Sequence, residues 1–140
     1  MKKAILGAEP PPDILVAIAW IRMLPPDDLA AARCLAATIR DPRVQHFHDP
    51  CRRAGSAIAA SLGAPGKTAW DIYLFYPAGP GWQAGPPPPL AWAHQLKDSG
   101  WADPALYHRG GDLERQLGRL LSNCAHPGHV AHSTPNPSQL

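Results

Sequence analysis

The segment 69–76 is the strongest strand signal in the chain, and any fold of this chain must accommodate it. It reads Ala-Trp-Asp-Ile-Tyr-Leu-Phe-Tyr and ends at the turn residues Pro77-Ala78-Gly79. Aromatic and branched side chains favour a strand, whereas proline and glycine end one. The concentration of large apolar side chains predicts that this strand runs through the middle of a sheet.

A second apolar run, from Ile14 to Ile21, lies between prolines and is apolar on both faces. Runs of this kind are typical of strands in mostly parallel sheets, which helices cover on both sides. A buried helix is the competing interpretation, because periodicity alone does not separate the two structures. The run is far too short to span a membrane.

Helical periodicity follows this second run. The segment Asp27–Arg40 is predicted to be a helix whose N-terminus is capped by Asp27 or Asp28. Cys34 falls on the side away from the apolar stripe, so we expect its thiol to be exposed. The stripe consists of Leu29, Ala32, Leu35, Ala36 and Ile39.

Two further helices are predicted around the central strand. A short strand over 43–48 precedes a helix that Asp49-Pro50 opens and Gly63 ends. The last helix, 112–121, follows Gly110-Gly111. The leucines of its apolar stripe are Leu113, Leu117, Leu120 and Leu121.

Proline and glycine break the remaining chain into irregular segments. The 140 residues include 18 prolines and 12 glycines, and the segment 77–104 is rich in both. Within this Pro-rich excursion only Leu90–Leu96 suggests a short helix. We therefore predict one domain over 1–122 and a disordered His/Pro-rich tail over 123–140. The alternation of strands and helices in the domain predicts an α/β layered fold.

The order of these elements resembles the second half of a thioredoxin-like domain of the peroxiredoxin or thiol-oxidoreductase type. The matching segments are 14–21, 27–40, 44–50, 52–63, 69–79 and 112–121. The shorter phrases 19–25, 41–44 and 70–73 resemble a bacterial group of thioredoxin-like proteins without an assigned activity. The resemblance implies a thioredoxin-like layered fold.

The chain departs from this family at the residues that carry its chemistry. The family's nucleophilic cysteine, in a CxxC motif or alone, lies between the first strand and its helix, but no cysteine precedes Cys34 here. The run Ala4-Ile5-Leu6 would be the end of the motif helix. The family's proline before the central strand is replaced by Lys67-Thr68-Ala69. The resemblance thus implies a domain whose N-terminal strand and motif helix are missing or truncated, and which lacks redox activity.

Cys51 is the one candidate catalytic residue. It follows Asp49-Pro50 at a predicted helix N-terminus and precedes Arg52-Arg53. The helix dipole and two arginines would favour a thiolate, which suits a peroxidatic or redox-sensing role. No resolving cysteine or positioned base accompanies it, so an ordinary surface cysteine is the alternative.

Two groups of residues are candidate metal ligands. His46 and His48 lie two residues apart on a strand, near Cys51, but a structural zinc site normally closes with four ligands. The second group, in the predicted tail, offers borderline ligands without a preformed geometry. Its members are Cys124, His126, His129 and His132.

Composition limits the partners. The formal net charge of +2 is too small to indicate nucleic acid, and no segment indicates a membrane. Three cysteines without a CxxC pair indicate a reducing, cytoplasmic compartment. No cofactor motif is present. A missing first strand and helix would leave a strand edge and apolar surface exposed, which predicts an unknown protein partner or a homodimer.

Three functions therefore remain open from the sequence. The first is a thioredoxin-like protein without redox activity, the second is a non-catalytic interaction or dimerisation module, and the third is a small metal-binding protein that uses the His/Cys tail.

Overall fold

The computed structural model describes residues 13–79, 82 and 84–125. It confirms the predicted α/β class, with strands and helices in alternation. The predicted end of a helix at Ala4-Ile5-Leu6 and the tail beyond Ala125 lie outside the described residues. The elements are β1 (Val16–Ile21), α1 (Leu29–Ala37), β2 (Val44–Asp49), α2 (Arg53–Ser61), β3 (Ile72–Phe75), β4 (Ala91–His94), a single 3-10 turn (Pro104–Leu106) and α3 (Gly110–Ala125).

A parallel β1–α1–β2 unit begins the described fold. The strands pair in register from Val16 opposite Val44 to Ile21 opposite Asp49. Both aspartates before α1 act at its N-terminus, but in different ways. Asp28 is the N-cap, because its Oδ1 accepts a 2.9 Å hydrogen bond from the Ala31 N–H. Asp27 instead accepts hydrogen bonds from the preceding loop.

The predicted apolar stripe of α1 is only partly buried. Ala32 and Ile39 are buried, whereas Leu29 and Leu35 are 43% and 50% exposed. The helix ends at Ala37 and contacts β2 along one narrow side, so a stripe of five residues is wider than the surface available to cover it. Cys34 is exposed, as predicted.

The strand at 69–76 is shorter than predicted and does not lie in the middle of a sheet. Among the described residues it pairs only with β4, antiparallel, from Ile72 opposite His94 to Phe75 opposite Ala91. Asp71 has a left-handed backbone with φ of 48°, which interrupts the extended run before Ile72. The described sheet structure is therefore one parallel pair and one antiparallel pair.

Strand β4 corrects the prediction of a short helix at 90–96. The Leu90 N–H donates a 2.8 Å hydrogen bond to the Phe75 carbonyl oxygen, which brings the end of the Pro-rich excursion back onto β3. Pairing with an existing strand overrides the local helical preference of a short segment. Aromatic contacts hold the excursion on the hairpin: Trp92 stacks on Trp101, and Trp82 packs at a tilt of 59° against Tyr76.

The predicted leucine stripe of the last helix is confirmed and forms the main core. Leu113, Leu117 and Leu121 pack against Phe75 and Ala93 of the hairpin. The helix continues to Ala125, beyond the predicted end at 121 and the predicted domain boundary at 122. Each turn of an amphipathic helix that meets the core adds buried apolar area, so the helix persists as long as the hairpin lies beneath it.

His94 is a structural residue in this second half of the fold. Its side chain is almost fully buried, its Nδ1 accepts a hydrogen bond from the Leu96 N–H, and its Nε2 lies 2.8 Å from the Asp103 carbonyl oxygen. Only the neutral tautomer with a proton on Nε2 satisfies both contacts. The ring links β4 to the turn that precedes α3.

Helix α2 lies very close to β1 and to the segment before β3 at Gly55. A Cβ added at Gly55 would lie 2.8 Å from the Ala69 carbonyl oxygen and 3.0 Å from the Ile21 Cδ1 atom. We expect Gly55→Ala to lower the free energy of unfolding by about 1–3 kcal/mol, measured by urea denaturation. The added methyl group would have to displace the backbone carbonyl of Ala69, which is costly.

Gly118 in α3 provides the matched control for this prediction. A Cβ at Gly118 would meet no atom within 4 Å. Gly118→Ala should therefore leave stability unchanged or raise it by up to about 1 kcal/mol, as helix propensity dictates. Equal effects at the two glycines would contradict the close packing of α2.

Candidate functional site

A shallow cleft lies where the carboxyl ends of β1 and β2 meet. Residues 22–25 and 50–52 line it, and its volume is about 520 Å³. Loops that follow the carboxyl ends of parallel strands are the usual place for binding residues in α/β proteins. We name this feature the carboxyl-edge cleft. Cys51, the candidate catalytic residue, lies in its wall and is exposed.

The first loop of the cleft is held in place by an acidic side chain. Asp27 Oδ2 accepts hydrogen bonds from the backbone N–H groups of Met23, at 3.1 Å, and Leu24, at 2.7 Å. Such a turn fixes the path between β1 and α1. The hydrogen bonds to Asp27 therefore hold the backbone of Met23 and Leu24 in place at the cleft.

The guanidinium group of Arg52 joins the second loop to the first. It donates hydrogen bonds to the carbonyl oxygens of Arg22, at 2.8 Å, and Met23, at 3.1 Å. Arg52 adopts a left-handed backbone with φ of 58°, which is uncommon for a residue with a side chain. Arg52, one of the two arginines expected to favour a Cys51 thiolate, therefore joins the two loops of the cleft.

Asp49 occupies the donors at the start of α2. The helix begins at Arg53, three residues later than predicted, because residues 50–52 form a turn. The Asp49 carboxylate accepts hydrogen bonds from the N–H groups of Arg53, Ala54 and Gly55, at 2.8, 2.9 and 3.3 Å. These groups would otherwise be the helix-terminus donors for an anion. The protein uses them itself, so they do not serve Cys51.

The paired histidines of β2 form no metal site with Cys51. His46 Nδ1 accepts a 3.2 Å hydrogen bond from the Trp20 Nε1–H, and its Nε2 lies 3.2 Å from the Ile39 carbonyl oxygen. Both ring nitrogens are therefore used within the fold. Across residues 13–79, 82 and 84–125, no three His, Cys, Asp or Glu side chains lie together in a way that could hold a metal ion.

Cys124 belongs to the core rather than to a tail. It lies in α3 and packs, partly buried, against the cluster of Phe75 and the leucines of that helix. Burial raises the pKa of its thiol. A raised pKa disfavours the thiolate that metal ions bind. The other three candidate ligands, His126, His129 and His132, lie outside the described residues.

The sequence did not reveal the second candidate site, a face of the β1–β2 sheet that the described residues leave uncovered. Strand β1 was predicted to be buried on both sides, and this prediction is wrong, because its alternate residues are exposed. Leu15 is 81% exposed and Phe47 is 52% exposed. We name this surface the open face. It consists of Leu15, Ala17, Ala19, Gln45 and Phe47, all exposed.

The two sides of the β1–β2 pair differ in what covers them. On the side opposite the open face, Trp20 stacks on His46, and His46 contacts the carbonyl oxygen of Ile39 at the end of α1. On the open side, α2 approaches the Ile21 end of the strand, as the Gly55 position indicates. The rest of the open face is bare among the described residues. The exposure of this face could not be predicted from the sequence, because alanines at alternate positions of a strand occur on buried and exposed faces alike.

Comparison of the chain with protein-family models, with curated proteins and with solved structures finds no significant match. None of the described helices is long and apolar enough to cross a lipid bilayer.

The donor set around Asp49 gives a stability prediction. Asp49→Ala should lower the free energy of unfolding by about 2 kcal/mol or more, because it removes three hydrogen bonds and leaves partly buried N–H groups without acceptors. Asp28→Ala is the matched control, since Asp28 caps α1 through one N–H at an exposed position. Its loss should be about 1 kcal/mol. If chemical denaturation shows equal losses of unfolding free energy for the two variants, the three hydrogen bonds of Asp49 stabilise the fold no more than the single one of Asp28.

The ion pair beside the open face gives a pH prediction. Arg43 donates two hydrogen bonds to the Asp41 carboxylate, at 2.8 and 2.6 Å, and lowers the pKa of that carboxyl from 3.8 to about 2. The stabilisation is therefore present above about pH 4 and is lost as the pH falls towards 2. We expect Asp41→Asn to be less stable than the parent chain at pH 7, and the difference to shrink as the pH falls from about 4 and to close only below about pH 2, in thermal unfolding across pH. A gap that does not close in acid would contradict this assignment.

Proposed function

We propose that the chain is a thioredoxin-like domain that binds protein and does not carry out thiol–disulfide exchange. The observation that carries the proposal is the open face of the β1–β2 sheet. Parallel strands occur almost only where both faces of the sheet are covered. An apolar face left bare by the described chain indicates a surface that another polypeptide covers.

The composition of the open face supports protein binding over small-molecule binding. The face carries one large aromatic side chain, one leucine and two alanines, with Gln45 as its polar member. Interface cores are enriched in aromatic residues and depleted in charge. None of these five residues lines the described cleft at residues 22–25 and 50–52, whereas small-molecule sites are concave and enclose most of the ligand.

The thioredoxin-like part of the proposal is supported by the order of elements and by the family phrases of the sequence. The family places its nucleophilic cysteine between the first strand and the following helix. In one alignment, the motif belongs to an element before β1, and the described residues do not include that element. If β1 and α1 are themselves that pair, the motif position is the loop 22–28, which reads Arg-Met-Leu-Pro-Pro-Asp-Asp. Neither alignment places a cysteine of the described residues at the motif position.

The two other candidate functions have less support. Redox chemistry at Cys51 needs a group that stabilises its thiolate, and the N–H groups at the start of α2 are bonded to Asp49 instead. Metal binding by the tail residues needs Cys124, whose thiol is packed against apolar side chains.

Photo-crosslinking from the open face tests the proposed function. Phe47 is replaced by p-benzoylphenylalanine, which is close to it in shape and should leave the fold intact, and the protein is irradiated in the cells from which the gene comes. We expect one or a few defined covalent adducts of higher mass, identified by mass spectrometry, because the face is covered in the cell.

Leu90 is the matched control position for this experiment. Its side chain is 59% exposed, similar to Phe47, but it lies beside the other sheet. We expect no defined adduct from this position. Absence of adducts at Phe47, or the same adducts from both positions, would overturn the proposed function. Adducts that persist in a Cys51→Ser background would show that the thiol is not required.

A further inference from the structure

We draw no further inference here: the strongest candidate, the carboxyl-edge cleft with the exposed thiol of Cys51 in its wall, rests on a single cysteine, and no second feature of the residues that the structure describes points to a ligand there.

Discussion

The buried carboxylate of Asp49 is the interaction on which the first half of the structure depends. Its two oxygens accept hydrogen bonds from three successive N–H groups of α2, while its own carbonyl oxygen accepts one from the Arg22 N–H. One residue therefore joins the ends of both parallel strands to the start of the next helix. A buried carboxylate is stable only when its acceptor sites are filled, so this arrangement also fixes where α2 begins.

This arrangement decides what the carboxyl-edge cleft can do. In many α/β proteins the helix N-terminus at that position binds an anionic ligand. Here the Asp49 carboxylate accepts hydrogen bonds from the N–H groups of that helix N-terminus. Arg52 and Asp27 bind the backbone of the loop between β1 and α1. The polar groups of the cleft are largely engaged with the protein itself, and Cys51 lies exposed in the wall of the cleft. The proposal of protein binding therefore rests on the open face and not on this edge of the sheet.

The open face shows why strand burial is difficult to predict from composition. The run Ile14–Ile21 is apolar throughout, and an apolar residue has the same identity whether or not something covers it. Ala17 and Ala19 are small enough to be tolerated on either side of a sheet. Exposure of Leu15 and Phe47 is the informative observation, because large apolar side chains grouped on one exposed surface of a protein commonly mark a contact with another.

Patterns local to the chain predict the α/β class, the parallel strand–helix–strand order, the exposure of Cys34 and the leucine stripe of α3. These features follow from period, caps and turn residues, which act between neighbours in the chain. The antiparallel partner of β3, the partial burial of Cys124 and the late start of α2 became apparent from the three-dimensional contacts, as did the side of β1 that the described residues leave uncovered. Each of these depends on contacts between residues far apart in the sequence: β4 pairs with β3 over four residues, and Cys124 is partly buried because it packs against the cluster that contains Phe75.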